Sequence, residues 1–338
     1  MREQTLSPVW AILLFLASLA LSVLSSIVLA RRLEQLGAWL GMSESLLGIV
    51  AALGSDAPEI SSAIAAMHSG QHDLGVGIVV GSNIFNLAAL LGLSALVSGK
   101  VAVARKTLVW NGSIALLVLL VVIAQLYGWV GGGWALALIA VIMVPYVTIT
   151  AIPPRTLAWI TYRLGMGAPL VQTVAAVDQD AKRAEKAPRP SYADILGSLP
   201  ALVAIVVASI GLVRAAIVLG AAWRIPSAII GTLALAALTS IPNVVTAVQL
   251  ARKGRGSAVL SESLNSNTLN LVAGAALPSV LLGAVALISS AALALWWMTG
   301  MTLITFALCS FRGGLGRKGG AVLIVIYGLF VTLILWRS

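Results

Sequence analysis

The chain has 338 residues, 60% of them hydrophobic and only 9% charged, with a mean hydropathy of +1.04. A soluble globular chain carries about 25% charged residues, so a water-soluble domain is excluded and an integral membrane protein remains. The net charge of +10 does not indicate nucleic acid, because the basic residues fall in short clusters between apolar runs, as membrane topology requires. The single cysteine, Cys309, excludes an internal disulfide framework.

A transmembrane helix needs about 20 mostly apolar residues. Runs that qualify lie near 8–30, 38–67, 74–98, 107–127 and 131–152, and then near 193–214, 224–250, 256–288, 291–310 and 320–336, giving ten spans, five plus five. The first run has a short basic leader but no clean small-residue cleavage site, so it is read as a retained helix and not a signal peptide. The one long connection, 153–192, starts Pro153-Pro154-Arg155 and ends in the mixed-charge run Asp178 to Pro190. It is expected to be a solvated cytoplasmic linker with an interfacial helix near Leu157–Leu170. Asp178, Asp180 and Glu185 are too few, and too mixed with lysine and arginine, for a regulatory cation-binding loop. The expected organisation is a first five-helix repeat over 1–152, the linker, and a second five-helix repeat over 193–338.

The repeat is visible in the residues. Shifting the stretch 54–87 by 184 positions places Pro58, Ala63, Gly70, Ser82, Asn83, Asn86 and Leu87 on Pro242, Ala247, Gly254, Ser266, Asn267, Asn270 and Leu271. An odd number of spans per half makes the second half enter the membrane from the opposite side. With the N-terminus outside, the inside loops hold 17 of the basic residues, among them Arg31, Arg32, Arg105 and Lys106, against 4 outside, Arg2, Arg214, Arg224 and Arg337. That bias is the positive-inside signature. Trp10, Trp110, Trp129, Trp134, Trp223 and Trp336 fall near predicted span ends, as interfacial tryptophans do. The expectation is therefore an all-α membrane protein, an inverted repeat of ten helices with both termini outside.

Pro58 and Pro242 lie mid-span and cannot donate to the helix ladder, so each is expected to break its helix. Backbone freed at membrane depth is tolerated where it is buried or lines a cavity, and interrupted helices at matching places in two repeats point to a transporter's midplane site. The polar company supports this: Ser55, Asp56 and Glu59 flank one break, Thr239, Ser240 and Asn243 the other. Charges inside a spanning segment mark an ion or substrate path. Ser82 and Asn86 lie i, i+4 on one helix face, as do Ser266 and Asn270. All these groups are hard oxygen donors without thiolate or imidazole, a set that suits Ca²⁺, Na⁺ or Mg²⁺ and argues against zinc or copper. For the asparagines, interhelical hydrogen bonding is the alternative role.

The two stretches, Gly54-Ser55-Asp56-Ala57-Pro58-Glu59 with Gly81-Ser82-Asn83-Ile84-Phe85-Asn86, and Leu238-Thr239-Ser240-Ile241-Pro242-Asn243 with Asn265-Ser266-Asn267-Thr268-Leu269-Asn270, resemble the paired alpha repeats of the calcium/cation antiporter superfamily. Sodium/calcium exchangers are its best-known members. The resemblance implies ion ligands from Glu59 and Asn243 as pseudo-symmetric partners, with Ser82, Asn86, Ser266 and Asn270 beside them. Groups around Ser55, Asp56, Thr239 and Ser240 would complete the set. It implies exchange of Ca²⁺ for Na⁺, Na⁺ plus K⁺, or H⁺ by alternating access, with no enzyme chemistry and no cofactor.

The sequence departs from the family pattern at telling places. Asn243 stands where a second acid is expected, and Asp56 stands where the family has a hydroxyl. Either the lost carboxylate has been replaced from the other half, or the site has been retuned towards proton exchange or another cation. Leu238 and Asn265 replace glycines, which suggests that the second half packs differently around the site. Glu262, with no acidic repeat partner, is read either as an acid on the cytoplasmic path or as a partner of Arg252 or Arg255. His68 and His72 are expected in a solvated outside turn, Gly77-x-x-x-Gly81 in close helix packing, and Glu44 at the interface. The expected function is secondary antiport of Ca²⁺ for Na⁺ or H⁺. The alternatives are antiport of another cation (Na⁺/H⁺ or Mg²⁺), an uncoupled channel, or a non-transporting homologue. The expected partners are inorganic cations and the bilayer, with a monomer as the transport unit in a prokaryotic plasma membrane.

Overall fold

The computed structural model describes residues 7–39, 44–152, 197–282, 289–310 and 313–336. The predicted linker and its interfacial helix lie outside the described residues. Each of the ten apolar runs is mainly helical over its described residues. In the first half, α1 is Pro8–Trp39, and the second run is split into α2 (Glu44–Ser55) and α3 (Ala57–His68). The third run is α4 (His72–Asn86), a π-helical stretch Leu87–Leu93 and α5 (Ser94–Ser98), followed by α6 (Arg105–Leu126) and α7 (Gly132–Ala151). The second half opens with α8 (Ser198–Trp223). Its next run is α9 (Ser227–Ile229), a π stretch Ile230–Leu235, α10 (Ala236–Thr239) and α11 (Ile241–Arg252). Then come α12 (Gly256–Leu269), a π stretch Asn270–Ala276, α13 (Leu277–Leu281), α14 (Ser289–Ser310) and α15 (Arg317–Trp336).

Among the described residues, 7 helices are long and apolar enough to cross a membrane, or 8 when the pair Ser227–Thr239 and Ile241–Arg252, bent by 46°, counts as one span. The two remaining predicted runs are the α2–α3 pair, two helices of 12 residues each, and the α12–α13 run, whose first half is rich in serine and asparagine. They fall short of the apolar test because they carry the polar groups. One departure from an all-helical chain is a two-stranded antiparallel ribbon. Here β1 (Lys100–Ala102) pairs with β2 (Gly314–Gly316), Val101 opposite Leu315. Both are connectors between spans, and pairing satisfies backbone groups that the turns leave open. The ribbon also ties the first half to the second.

The third run is the centre of the bundle. Over its most apolar stretch it is 94% buried, whereas α1, α7 and α15 are each 22% buried there. In a bilayer, helix association relies on close packing of small residues. A Cβ on Gly77 would sit 2.8 Å from Thr232 Oγ1, and one on Gly81 would fall on the Thr232 backbone. These two glycines of α4 therefore admit the π stretch of the second half, as the Gly-x-x-x-Gly spacing leads one to expect. The turns α3–α4 and α11–α12 use matched glycines 184 residues apart, Gly70 at φ +75° and Gly254 at φ +73°, a conformation that costs other residues about 1–2 kcal/mol.

Candidate cation site

The breaks occur where the prolines place them. Between α2 and α3 stands Asp56 (φ −85°, ψ −6°), and between α10 and α11 stands Ser240 (φ −80°, ψ 0°). These residues are 184 apart and share one backbone conformation. Pro58 and Pro242 take the second position of the following helices. Lacking an N–H, they deprive the carbonyls of Gly54 and Leu238 of their helical donors. Glu59 and Asn243 follow in the first turns of α3 and α11. For Glu59, this is where the positive end of a helix favours an anion.

The two breaks are joined crosswise. Asn243 Nδ2 donates to Asp56 Oδ1 at 2.7 Å, and Ser240 Oγ donates to Glu59 Oε1 at 2.8 Å. Adding 184 to Asp56 gives Ser240, and adding 184 to Glu59 gives Asn243. The two hydrogen bonds are thus images of one another under the repeat. Both carboxylates come from the first half, yet each of the two symmetry-related pairs holds one. Ser266 Oγ also donates to Asp56 Oδ1, at 2.7 Å.

Beside this pairing, α4 and α12 are linked by four asparagines. Asn83 Nδ2 donates to the Asn267 carbonyl at 3.0 Å, and Asn267 Nδ2 returns the bond to the Asn83 carbonyl at 3.1 Å. Asn86 Nδ2 donates to Ser266 Oγ (3.0 Å) and Asn267 Oδ1 (3.3 Å). Its repeat partner Asn270 donates to Ser82 Oγ (3.4 Å) and Asn83 Oδ1 (3.3 Å). Each motif passes from α-helix to π-helix at the second asparagine, Asn86 or Asn270, and π turns are frequent at functional sites. Asp56, Glu59, Ser82, Asn83, Asn86, Ser240, Asn243 and Asn270 are all fully buried.

What remains unbonded is an oxygen set. Asp56 Oδ2, Glu59 Oε2 and Oδ1 of Asn86, Asn243 and Asn270 are buried with no hydrogen-bond donor. Orphaned acceptors of this kind are costly unless a cation or donor meets them. They come from five of the ten predicted ligands. The other five are beside them in the fold with their hydroxyls engaged. Ser55 donates to the Ala52 carbonyl (3.0 Å), Ser82 to the Val79 carbonyl (3.0 Å) and Thr239 to the Leu235 carbonyl (2.8 Å). Ser240 and Ser266 donate to the carboxylates as above. No three His, Cys, Asp or Glu side chains come together among the described residues; the unbonded oxygens belong to two acids and three amides.

Sequence reasoning passed over Asn83 and Asn267 as site residues, although both copies carry them. A second unforeseen cluster surrounds Asn265. Tyr146 Oη lies 2.6 Å from its Oδ1 and 2.8 Å from Asn111 Oδ1, while Asn111 Nδ2 donates to Ser261 Oγ at 2.8 Å. Glu262 is half-buried on α12, one turn before Ser266, and His68 and His72 flank the α3–α4 turn with His68 exposed.

The sequence model of the sodium/calcium exchanger protein family matches residues 10–153 and 194–336. The chain belongs to that family. Its fold is that of the sodium-calcium exchanger NCX_Mj, with a TM-score of 0.58 at 20% identity, covering 96% of this chain and 99% of the other. The H⁺/Ca²⁺ exchanger CAX gives a TM-score of 0.68 at 12% identity, covering 96% and 86%. Among relatives, the inner membrane protein YrbG of Escherichia coli is 28% identical over 253 residues, 71% of this chain and 70% of that one. The chain spans 30% of the length of the putative antiporter CaxA of Alkalimonas amylolytica, to which it is 33% identical over 94 residues, and less of the sodium/potassium/calcium exchangers it matches. The exchanger family transports cations and is not a family of enzymes.

Proposed function

We propose that this member of the exchanger family is a secondary antiporter that exchanges Ca²⁺ for Na⁺ or H⁺ at one central site. One observation carries the reading: the two carboxylates occupy symmetry-related pairs, Asp56 with Asn243 and Glu59 with Ser240, and each keeps a buried oxygen without a hydrogen-bond donor, as do the amides of Asn86, Asn243 and Asn270. Two negative charges with neutral hard oxygens match one divalent cation of the calcium type. The ligands are Glu59, Asp56, Asn86, Asn243 and Asn270, completed by Ser55, Ser82, Thr239, Ser240 and Ser266. In this reading Asp56 supplies, from the first half, the charge that Asn243 lacks.

Coupling follows from the same charges. A doubly negative site is expensive to carry through a low-dielectric barrier. It changes its exposure only when neutralised, by one divalent ion or by two monovalent ones. The relatives in solved form span both counter-ions, one being a sodium-calcium exchanger and the other an H⁺/Ca²⁺ exchanger. Residues 1–152 and 193–338 are the two repeats that rock about the site, joined by the cytoplasmic linker 153–192. One chain supplies both halves of the site, so the monomer is the transport unit. The distribution of basic residues supports an orientation with both termini outside a prokaryotic plasma membrane.

The test is radiolabelled Ca²⁺ uptake into proteoliposomes under an imposed Na⁺ gradient and, separately, a pH gradient. Uptake under one gradient, abolished in Glu59→Gln, is the expected result, and the effective gradient names the counter-ion. Folded protein that moves Ca²⁺ under neither gradient would return the site to Na⁺/H⁺ or Mg²⁺ exchange.

A further inference from the structure

We infer that Asn83 and Asn267 are positioning residues that fix which end of the Asn86 and Asn270 amides faces the cation. The inference rests on the cation-exchange reading and deepens it. An amide has one acceptor end and one donor end of nearly the same shape. Only the oxygen end binds a cation; the NH₂ end repels it. Something must therefore decide the orientation of the two ligand amides.

The serines act on one side of each amide. Ser266 gives its single hydroxyl hydrogen to Asp56 and Ser82 gives its own to the Val79 carbonyl, so each can only accept from the amide beside it. On the other side the polarity comes through Asn83 and Asn267 from two main-chain carbonyls. The main-chain carbonyl of Asn267 only accepts, so the group of Asn83 that meets it, at 3.0 Å, is Nδ2. That turns Asn83 Oδ1 the other way, where it meets the Asn270 amide at 3.3 Å and accepts from Nδ2. The Asn270 oxygen is thereby left pointing away, and it is one of the unbonded acceptors. The mirrored chain runs from the Asn83 carbonyl through Asn267 (3.1 Å) to the Asn86 amide (3.3 Å) and ends on the unbonded Asn86 oxygen. Each repeat thus orients the ligand of the other. Two backbone carbonyls set the polarity of this relay, and the two serine hydroxyls, committed elsewhere, agree with it.

The experiment measures equilibrium binding of radiolabelled Ca²⁺ and Na⁺ to the purified full chain, with melting followed by tryptophan fluorescence. Asn83→Ala is expected to weaken binding by about tenfold or more, the usual effect of removing a group that orients a ligand. Asn270→Ala weakens it as well, and the Asn83→Ala/Asn270→Ala double variant binds no worse than Asn270→Ala alone, because an absent amide has no orientation to lose. Additive losses, or a lowered melting temperature with unchanged affinity, would overturn the proposal. Asn83→Leu keeps the volume and serves if the alanine variant does not fold. If every variant at both positions unfolds, the residues only hold the helices together and the proposal falls. A wild-type chain that binds Na⁺ but not Ca²⁺ sinks the calcium reading alone, with the lock then judged on Na⁺. One that binds neither sinks both.

Discussion

The two helices that carry the Ser-Asn-x-x-Asn motif, α4 and α12, make the same bonds to each other and different bonds to everything else. Their asparagines interlock symmetrically, with matching distances in both directions. Around them the symmetry fails. Ser266 gives its proton to Asp56, whereas its counterpart Ser82 returns its proton to its own helix at Val79. Gly81 is pressed against the backbone of Thr232, whereas its counterpart Asn265 meets Tyr146. The π stretch Ile230–Leu235 lies in the second half, while the corresponding residues of the first half belong to the regular helix α2. Duplication explains the shared frame. The differences follow from where charge and bulk now sit: both acids in one half, and a glycine in one copy where the other has an amide.

The largest effect comes from breaking the charge symmetry. Asp56→Asn leaves one pair without a carboxylate and should weaken Ca²⁺ binding by about 3 kcal/mol, on the order of 100-fold. Restoring the charge on the other side of the same pair, as in Asp56→Asn/Asn243→Asp, should recover most of that loss, because the carboxylate stays within the same hydrogen bond. Affinity titrations of wild type, single and double variants decide it. A double variant as weak as the single would mean that position, and not charge balance across the repeat, governs the site.

A smaller effect separates the two packing arrangements. Gly81→Ala places a methyl group against the main chain of Thr232 and should destabilise the fold by about 2 kcal/mol. Asn265→Ala at the equivalent place loses only its bond with Tyr146 and should cost about 1 kcal/mol. Thermal melts of both variants check the ratio. Equal costs would mean that the second half is packed as tightly as the first at this level.

The spans and the duplication were legible because they are written in hydropathy and residue spacing. So were the two breaks, since Pro58 and Pro242 act locally through a missing N–H. The crosswise pairing of Asp56 with Asn243 was not legible. Nothing in a sequence says which residue of one break faces which residue of the other, and the two-fold relation appears only once the helices are packed. Asn83 and Asn267 escaped for a related reason. The i, i+4 rule selects residues sharing a helix face, Ser82 with Asn86 and Ser266 with Asn270, and so passes over neighbours that face the partner helix. Their presence in both copies was the available signal. The π stretches have no compositional mark, because a shift from i−4 to i−5 hydrogen bonding leaves the apolar pattern intact.

The serine pair sharpens the comparison at the finest level. Ser266→Ala and Ser82→Ala remove the same atom from equivalent positions, and each loses a bond accepted from an asparagine, so the difference between them comes chiefly from the acid that Ser266 alone meets. The Ser266 hydroxyl bonds an acid at 2.7 Å, and hydrogen bonds to charged groups contribute about 1.5–3 kcal/mol. Ser82 bonds a carbonyl of its own helix at 3.0 Å and accepts from Asn270 at 3.4 Å, contacts that together contribute about 1 kcal/mol. In cation-free buffer, Ser266→Ala should therefore melt at the lower temperature of the two. Saturating Ca²⁺ should narrow the gap, because a bound cation takes over the compensation of Asp56 that the hydroxyl provided. A gap that persists unchanged under saturating Ca²⁺ would mean that Asp56 does not meet the ion, and the second carboxylate of the site would have to be sought elsewhere, with Glu262 the nearest acid on α12.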